Sequence, residues 1–105
     1  MTHSHPPVDV ATMHAAATEA CALLKVLANP DRLLLMCQLS QGEACVSELE
    51  AQLAIRQPTL SQQLGVLREN GLVTTRREGK NIFYSIASKP ALAVIAVLYE
   101  QFCAQ

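Results

Sequence analysis

The sequence has very few aromatic residues. It contains no tryptophan, two tyrosines and two phenylalanines, which is 4% of its 105 residues, whereas 50% of the residues are hydrophobic. The core must therefore be built from Leu, Ala, Val and Ile, and this composition favours packed helices. Because a chain of this length has a high ratio of surface to volume, we expect one domain, which a partner could complete.

Long hydrophobic runs are missing as well. The longest run, residues 91–99, is far shorter than the roughly 20 residues of a membrane-spanning helix. The N-terminus also lacks the basic and then apolar pattern of a secretory signal. We therefore expect a soluble cytoplasmic protein that does not contact a membrane.

Residues that catalysis requires are scarce. All three histidines, His3, His5 and His14, lie near the N-terminus, and no glycine-rich loop that could hold a phosphate is present. No nucleophile has an evident base beside it. The sequence therefore argues against an enzyme and predicts no cofactor.

Positive charge is not in excess over the whole chain, since the formal net charge is −1. Its distribution is uneven, however. Residues 56–80 hold five basic and two acidic side chains, a net charge of +3, and the remaining residues hold three basic and seven acidic side chains, a net charge of −4. A selectively basic stretch of this kind is compatible with nucleic-acid binding in a chain that is acidic overall.

The first part of the chain predicts an arm and two helices. Residues 1–8 show no periodicity, so we expect a disordered arm before a domain at residues 9–105. Apolar residues then recur every three or four positions between residues 10 and 27, as in a helix that packs lengthwise on another helix. Asn29 and Pro30 predict the N-cap and first position of a second helix, which Gly42 ends.

Residues 45–71 predict two short helices joined by a tight connection. Their inward faces are marked by Val46, Leu49 and Leu53 in the first helix and by Leu60, Leu64 and Leu67 in the second. We expect Pro58 in the first turn of the second helix and Gly71 in a left-handed conformation after its end.

A change of period then predicts a β-hairpin, with strands at residues 73–77 and 82–86 and a turn between them. A last helix follows, from residue 91 to about Cys103, and it is apolar around nearly its whole circumference. Such a helix must be covered on every side. In so small a chain, we expect the first or last helix of a second protomer to supply the cover.

The order of these elements predicts a mainly α fold with a small β-hairpin, a winged helix-turn-helix of order α-α-α-α-β-β-α that forms a dimer. In such a fold the second helix of the pair enters the major groove of double-stranded DNA and the hairpin contacts the backbone or the minor groove. A solvated helix face and an ordinary charged turn are the alternative interpretation. Ten polar or basic residues are candidates for DNA contacts: Arg56, Gln57, Thr59, Ser61, Gln62, Gln63, Arg68, Arg76, Arg77 and Lys80.

The sequence resembles the ArsR/SmtB family of small winged-helix repressors over residues 10–105. The resemblance implies a homodimer that binds a palindromic operator and packs through its first and last helices. Arg56 departs from the family pattern, which often has a serine that caps the recognition helix. The matching segments are residues 27–39 (LANPDRLLLMCQL), 47–49 (SEL), 57–64 (QPTLSQQL), 66–68 (VLR), 71–73 (GLV), 77–79 (REG) and 84–85 (YS).

Four cysteines, Cys21, Cys37, Cys45 and Cys103, could be buried thiols, metal ligands or redox sensors. The metal sites known in the family are incomplete here. The thiolate site near the helix-turn-helix retains only Cys45, and the zinc site of the last helix lacks its histidines and all but one carboxylate. We therefore expect no metal site, although a metal-sensing repressor remains the alternative.

The placement of Cys37 and Cys103 resembles the BigR, SqrR and HlyU branch of the family, which senses reactive sulfur species and oxidants. That resemblance implies that linking these two thiols, directly or through additional sulfur atoms, releases the DNA. Two buried and inert thiols are the alternative. A redox-controlled activator that displaces another DNA-binding protein is a further alternative to a repressor.

Overall fold

The computed structural model describes residues 7–104, which form five helices and a three-stranded antiparallel sheet. Of the predicted disordered arm, residues 1–6 lie outside the described residues, and residues 7 and 8 are exposed ahead of the first helix. The elements in chain order are α1 (Val10–Leu27), α2 (Pro30–Leu39), β1 (Ala44–Cys45), α3 (Val46–Leu53), α4 (Thr59–Glu69), β2 (Val73–Glu78), β3 (Asn81–Ile86) and α5 (Lys89–Phe102). This order confirms the predicted winged helix-turn-helix and adds β1 to it.

Side-chain caps begin three of the helices. The side chains of Asp9, Asn29 and Ser88 accept hydrogen bonds from backbone N–H groups in the first turns of α1, α2 and α5, at 2.7, 3.0 and 3.1 Å. The predicted cap at Asn29 and the predicted position of Pro30 are confirmed. These caps satisfy N–H groups that have no partner within their own helix.

The helix ends differ from the prediction at three points. One of them is the start of α5, which begins at Lys89 and not at residue 91. Pro58 is the residue before α4 and not part of its first turn, because the helix begins at Thr59. The second helix, α2, ends at Leu39, three residues before Gly42. Gly71 has a φ of 75°, which confirms the predicted left-handed residue after α4.

The core lies where α2, α3, α4 and α5 meet, and α2 is at its centre because it contacts α1, α3, α4, α5 and β3. The predicted inward face of α4 is confirmed, and in α3 Leu49 is buried while Val46 and Leu53 pack half-buried against the core. The large side chains that are fully buried are Leu35, Met36, Leu49, Leu60, Leu64, Leu67 and Ile95.

The sheet has the strand order β1-β3-β2, so β3 is its central strand. The predicted hairpin is present, although its strands pair as far as Glu78 and Asn81 and leave only Gly79 and Lys80 in the turn. Strand β1 was not predicted from the sequence, because two residues are too few to show a period. Only the pairing of Ala44 with Tyr84 and of Cys45 with Phe83 makes this segment a strand.

The outer helices α1 and α5 are largely uncovered. Leu27 is the only buried residue of α1, and by length and composition alone this helix could cross a membrane. On α5, Ala91 and Ile95 are buried, whereas Val97 and Phe102 are 59% and 77% exposed. An apolar surface of this extent is typical of a protein interface.

Two adjacent leucines of α2 test the position of the core. Leu35 is fully buried and Leu34 is 46% exposed. We expect Leu35→Ala to lower the free energy of unfolding by about 2 to 5 kcal/mol, because it leaves a cavity. Leu34→Ala is the matched control and should cost less than about 1 kcal/mol. Urea denaturation measures both changes, and equal losses would mean that Leu34 is also covered in solution.

Candidate nucleic-acid interface and thiol pair

The recognition helix α4 has a buried face and a polar outer face. The buried leucines recur every three or four residues, so the side chains between them point outward. Ser61 and Gln62 are exposed near the start of the helix, Thr59 is half-buried at its first position, and Arg68 is exposed in its last turn. These side chains are available to a ligand that lies along the outer face.

A glutamine takes the place of the missing serine cap before α4. The amide oxygen Oε1 of Gln57 accepts hydrogen bonds from the backbone N–H of Ser61 at 3.3 Å and from its hydroxyl at 2.6 Å. Arg56 is exposed, and its carbonyl oxygen accepts the N–H of Leu60. The side chain of Gln57 thus stabilises the start of the helix, and that of Arg56 is free to contact a phosphate.

Gln63 has a different environment from the other polar residues of α4. It is half-buried, and its amide oxygen accepts a hydrogen bond of 2.8 Å from Arg32 on α2. From the sequence, Gln63 was expected among the outward residues, because nothing local in the sequence indicates a partner 31 residues away. The interaction makes Gln63 a link between two helices.

The pleat of the hairpin separates its two arginines. Arg76 lies opposite Phe83 in the register and Arg77 opposite Ile82, so the two side chains leave opposite faces of the sheet. Arg77 is exposed, as is Lys80 in the turn. Within residues 7–104, neither of these two cations forms an ion pair.

Arg76 is engaged by its own domain. Its Nε lies 3.1 and 3.0 Å from the two carboxylate oxygens of Glu43, its Nη1 lies 2.9 Å from Glu78, and its guanidinium carbon lies 4.7 Å from the centre of the Phe83 ring. The hydrogen bonds from Arg76 lower the pKa of the Glu43 carboxyl. Two carboxylates therefore offset the charge of Arg76. Arg77 and Lys80 are the cations of the hairpin that have no ion-pair partner in the part of the chain that the structure describes.

The two cysteines singled out in the sequence lie on α2 and at the end of α5, two helices that contact each other. Cys37 is half-buried and Cys103 is exposed, and both are free thiols. Burial raises the pKa of the Cys37 thiol, and the charge of the nearby Cys103 raises it further. The two thiols therefore belong to a pair of contacting helices.

The other two cysteines have different surroundings. Cys21 is exposed on α1, and Cys45 is buried beside α3, with its Sγ 3.3 Å from the hydroxyl of Ser47. Among residues 7–104, no three Cys, His, Asp or Glu side chains converge as metal ligands would. His3 and His5 lie outside the described residues.

The chain matches the family model described as "Bacterial regulatory protein, arsR family" over residues 29–75. It is 59% identical over 97 residues to the biofilm growth-associated repressor of Agrobacterium fabrum, an alignment that covers 92% of this chain and 83% of the relative. It is 38% identical over 97 residues to the transcriptional activator HlyU of Vibrio cholerae, covering 92% and 90%.

Among solved structures, the repressor BigR of Xylella fastidiosa superposes with a TM-score of 0.85 at 52% identity, covering 92% of this chain and 96% of that one. The fold, the polar face of α4 and these similarities agree, and they are consistent with the BigR and HlyU branch. The chain therefore belongs to the bacterial ArsR family of DNA-binding transcriptional regulators and is not an enzyme.

Proposed function

We propose that the chain is a cytoplasmic repressor that binds a palindromic operator as a homodimer and releases it when Cys37 and Cys103 become linked. The observation that carries the DNA-binding part is the outer face of α4, where Ser61 and Gln62 are exposed above a row of buried leucines. The hairpin adds the exposed cations Arg77 and Lys80.

Base reading is assigned to Gln62, because a glutamine amide can form two hydrogen bonds with adenine in the major groove. It is also assigned to Ser61, whose hydroxyl donates to Gln57 and can still accept a hydrogen bond from a base. Phosphate contacts are assigned to the exposed cations Arg56, Arg68, Arg77 and Lys80. Thr59 and Gln57 lie at the start of the helix, where backbone and side chains commonly meet a phosphate. Arg76 would have to leave Glu43 and Glu78 to bind a phosphate, so we assign it to holding the hairpin in place.

A second copy of the chain is the occupant we propose for the exposed sides of α1 and α5. A groove of about 640 Å³ runs between these two helices, and apolar side chains such as Leu23, Val26 and Val94 line it. Burying them excludes water from apolar area that one protomer leaves exposed. A two-fold dimer would present its two α4 helices to successive major grooves, roughly 34 Å apart.

The redox part of the proposal starts at the exposed thiol. The thiolate of Cys103 attacks the outer sulfur of an organic persulfide, which yields a Cys103 persulfide and releases a thiolate. The thiolate of Cys37 then attacks the inner sulfur, forms the disulfide and releases hydrosulfide. A peroxide or a longer sulfur donor would give a disulfide or a polysulfide link between the same two residues.

The link would act on DNA binding through α5. A disulfide requires α-carbons within about 7 Å, so bond formation fixes the position of α5 against α2. Because α5 also belongs to the proposed dimer interface, its movement changes the spacing of the two α4 helices. A coupling free energy of about 1 to 3 kcal/mol, a factor of about 5 to 150 in affinity, is sufficient for release.

A regulator of this design could also activate transcription. One relative is named an activator, and displacement of another DNA-binding protein from an overlapping site would produce that effect without any change in the DNA-reading surface.

DNA reading can be separated from phosphate contact by two variants. We expect Gln62→Ala to weaken operator binding by about 1 to 3 kcal/mol and to leave random DNA unaffected. Arg77→Ala should weaken binding to both DNAs and reduce the salt slope by about one. Fluorescence anisotropy across a salt series measures both, with Gln52→Ala on the exposed side of α3 as control. Normal binding by both variants would show that the proposed reading surface is wrong.

The dimer can be tested with one acidic substitution. We expect Val97→Asp to shift the chain to a monomer in sedimentation equilibrium, because it places a charge in the apolar surface of α5. Ile82→Asp, at an exposed apolar residue of the hairpin, should leave the dimer intact. A wild-type monomer at micromolar concentration would contradict the proposed assembly.

The thiol switch predicts a specific pattern of resistance. We expect persulfide to release DNA from the wild type and reductant to restore binding, whereas Cys37→Ser and Cys103→Ser each remain bound. Cys21→Ser and Cys45→Ser serve as controls and should respond like the wild type. Release of DNA from the Cys37→Ser, Cys103→Ser double variant would refute the mechanism.

The same reaction should depend on pH. Since burial raises the pKa of the Cys37 thiol, this group is protonated at neutral pH and its reactive thiolate increases as the pH rises. We expect the linking rate to increase between about pH 7 and about pH 9. Mass spectrometry of quenched samples measures the rate, and a rate that falls over this range would contradict the assignment of Cys37 as attacking thiolate.

A further inference from the structure

Arg32 joins three helices through one guanidinium group. It lies in the first turn of α2, where its own backbone N–H donates to the Asn29 cap. Its Nε donates to the carbonyl oxygen of Val26 at 2.6 Å and its Nη2 to that of Lys25 at 3.5 Å, both in the last turn of α1. Its Nη1 donates to the amide oxygen of Gln63 on α4 at 2.8 Å.

The contact with α1 provides hydrogen-bond donors for backbone carbonyl groups at the end of that helix. The last carbonyl groups of a helix have no partner within it. The N–H of Ala28 reaches the carbonyl of Leu24 and the N–H of Asn29 reaches that of Leu27, and Arg32 supplies donors for the two carbonyls in between. A positive charge at the C-terminal end of a helix is also favourable to the helix dipole.

The contact of Arg32 with α4 is a hydrogen bond to Gln63. It accompanies the apolar contact between α2 and α4. The inner face of α4 consists of buried leucines, and the hydrophobic effect that holds them against the core has no preferred direction. The hydrogen bond from Arg32 to Gln63 has a fixed length and direction. It therefore restricts the rotation of α4 about its own axis.

We propose that Arg32 is a positioning residue. Its planar guanidinium group binds both Gln63 and the end of α1, and it thereby sets the orientation of the recognition helix α4 relative to α1. This inference rests on the proposed function, in which α1 belongs to the dimer interface and α4 reads the operator. Neutral oxygens accept hydrogen bonds from all three guanidinium nitrogens, and within residues 7–104 the group has no carboxylate partner. Gln63 then acts on specificity through Arg32 and does not read bases itself.

The rigid geometry is specific to arginine. A guanidinium holds its donors in one plane, so it can serve α1 and α4 at the same time, whereas a lysine ammonium is a point charge on a flexible stem. Arg32→Lys retains the charge at this position and removes the planar link. The substitution therefore separates a requirement for charge from a requirement for geometry.

The test compares binding to the operator with binding to random DNA of the same length. We expect Arg32→Lys and Gln63→Ala each to lower the ratio of the two affinities about tenfold, a factor typical of one hydrogen bond to a charged group. The double variant should lose no more than either single one, because both remove the same link. Random-DNA affinity and the salt slope should remain at wild-type values.

Gln63→Glu distinguishes the link from direct base reading. A glutamate retains the oxygen that accepts from Arg32 but has no N–H to donate to a base, so the affinity ratio should return to within about threefold of the wild type. Gln38→Ala, at another half-buried glutamine, is the matched control and should keep the wild-type ratio. Thermal unfolding midpoints verify that each variant is folded.

Three results would overturn the inference. A wild-type affinity ratio in Arg32→Lys and Gln63→Ala would show that the link does not position α4. An equally low ratio in Gln63→Glu and Gln63→Ala would show that Gln63 contacts bases, and additive losses in the double variant would show that the two residues act separately. Failure of the proposed function would look different, because the wild type itself would then bind operator and random DNA equally.

Discussion

The burial of α2 is the constraint on which the other parts of the fold depend. Leu35 and Met36 are fully buried, and α2 contacts every other helix as well as the central strand β3. The burial of Leu35 and Met36 contributes about 1.5 to 3 kcal/mol per side chain to stability. It also fixes the positions of Arg32 at one end of the helix and Cys37 near the other, so the helix carries both the link to α4 and one thiol of the proposed switch.

The hairpin shows how charge is divided between structure and binding. Arg76 and Arg77 are neighbours in the sequence, yet the pleat sends them to opposite faces. On one face Glu43, Glu78 and the Phe83 ring hold Arg76, and on the other Arg77 has no ion-pair partner within the described residues. A count of basic residues therefore overestimates the charge that the hairpin can offer to DNA.

The large exposed apolar area of α1 and α5 connects stability with regulation. A chain of 105 residues has a high ratio of surface to volume. Apolar side chains of α1 and α5 remain exposed in it, and the proposed dimer would bury them. The same α5 that leaves Val97 and Phe102 exposed ends beside Cys103. A reaction at this thiol would therefore take place close to the proposed dimer interface. That interface would determine the spacing of the two α4 helices.

Local sequence patterns were sufficient to predict the helices, the hairpin, the Asn29 cap and the inward leucines of α4, because these features depend on residues a few positions apart. Tertiary structure alone decided three others. Strand β1 exists only through pairing with β3, and Arg32 and Arg76 find Gln63 and Glu43 across 31 and 33 positions. A long polar side chain looks the same in the sequence whether it will bind a ligand or another helix, since its partner is determined only when the core has brought distant segments together.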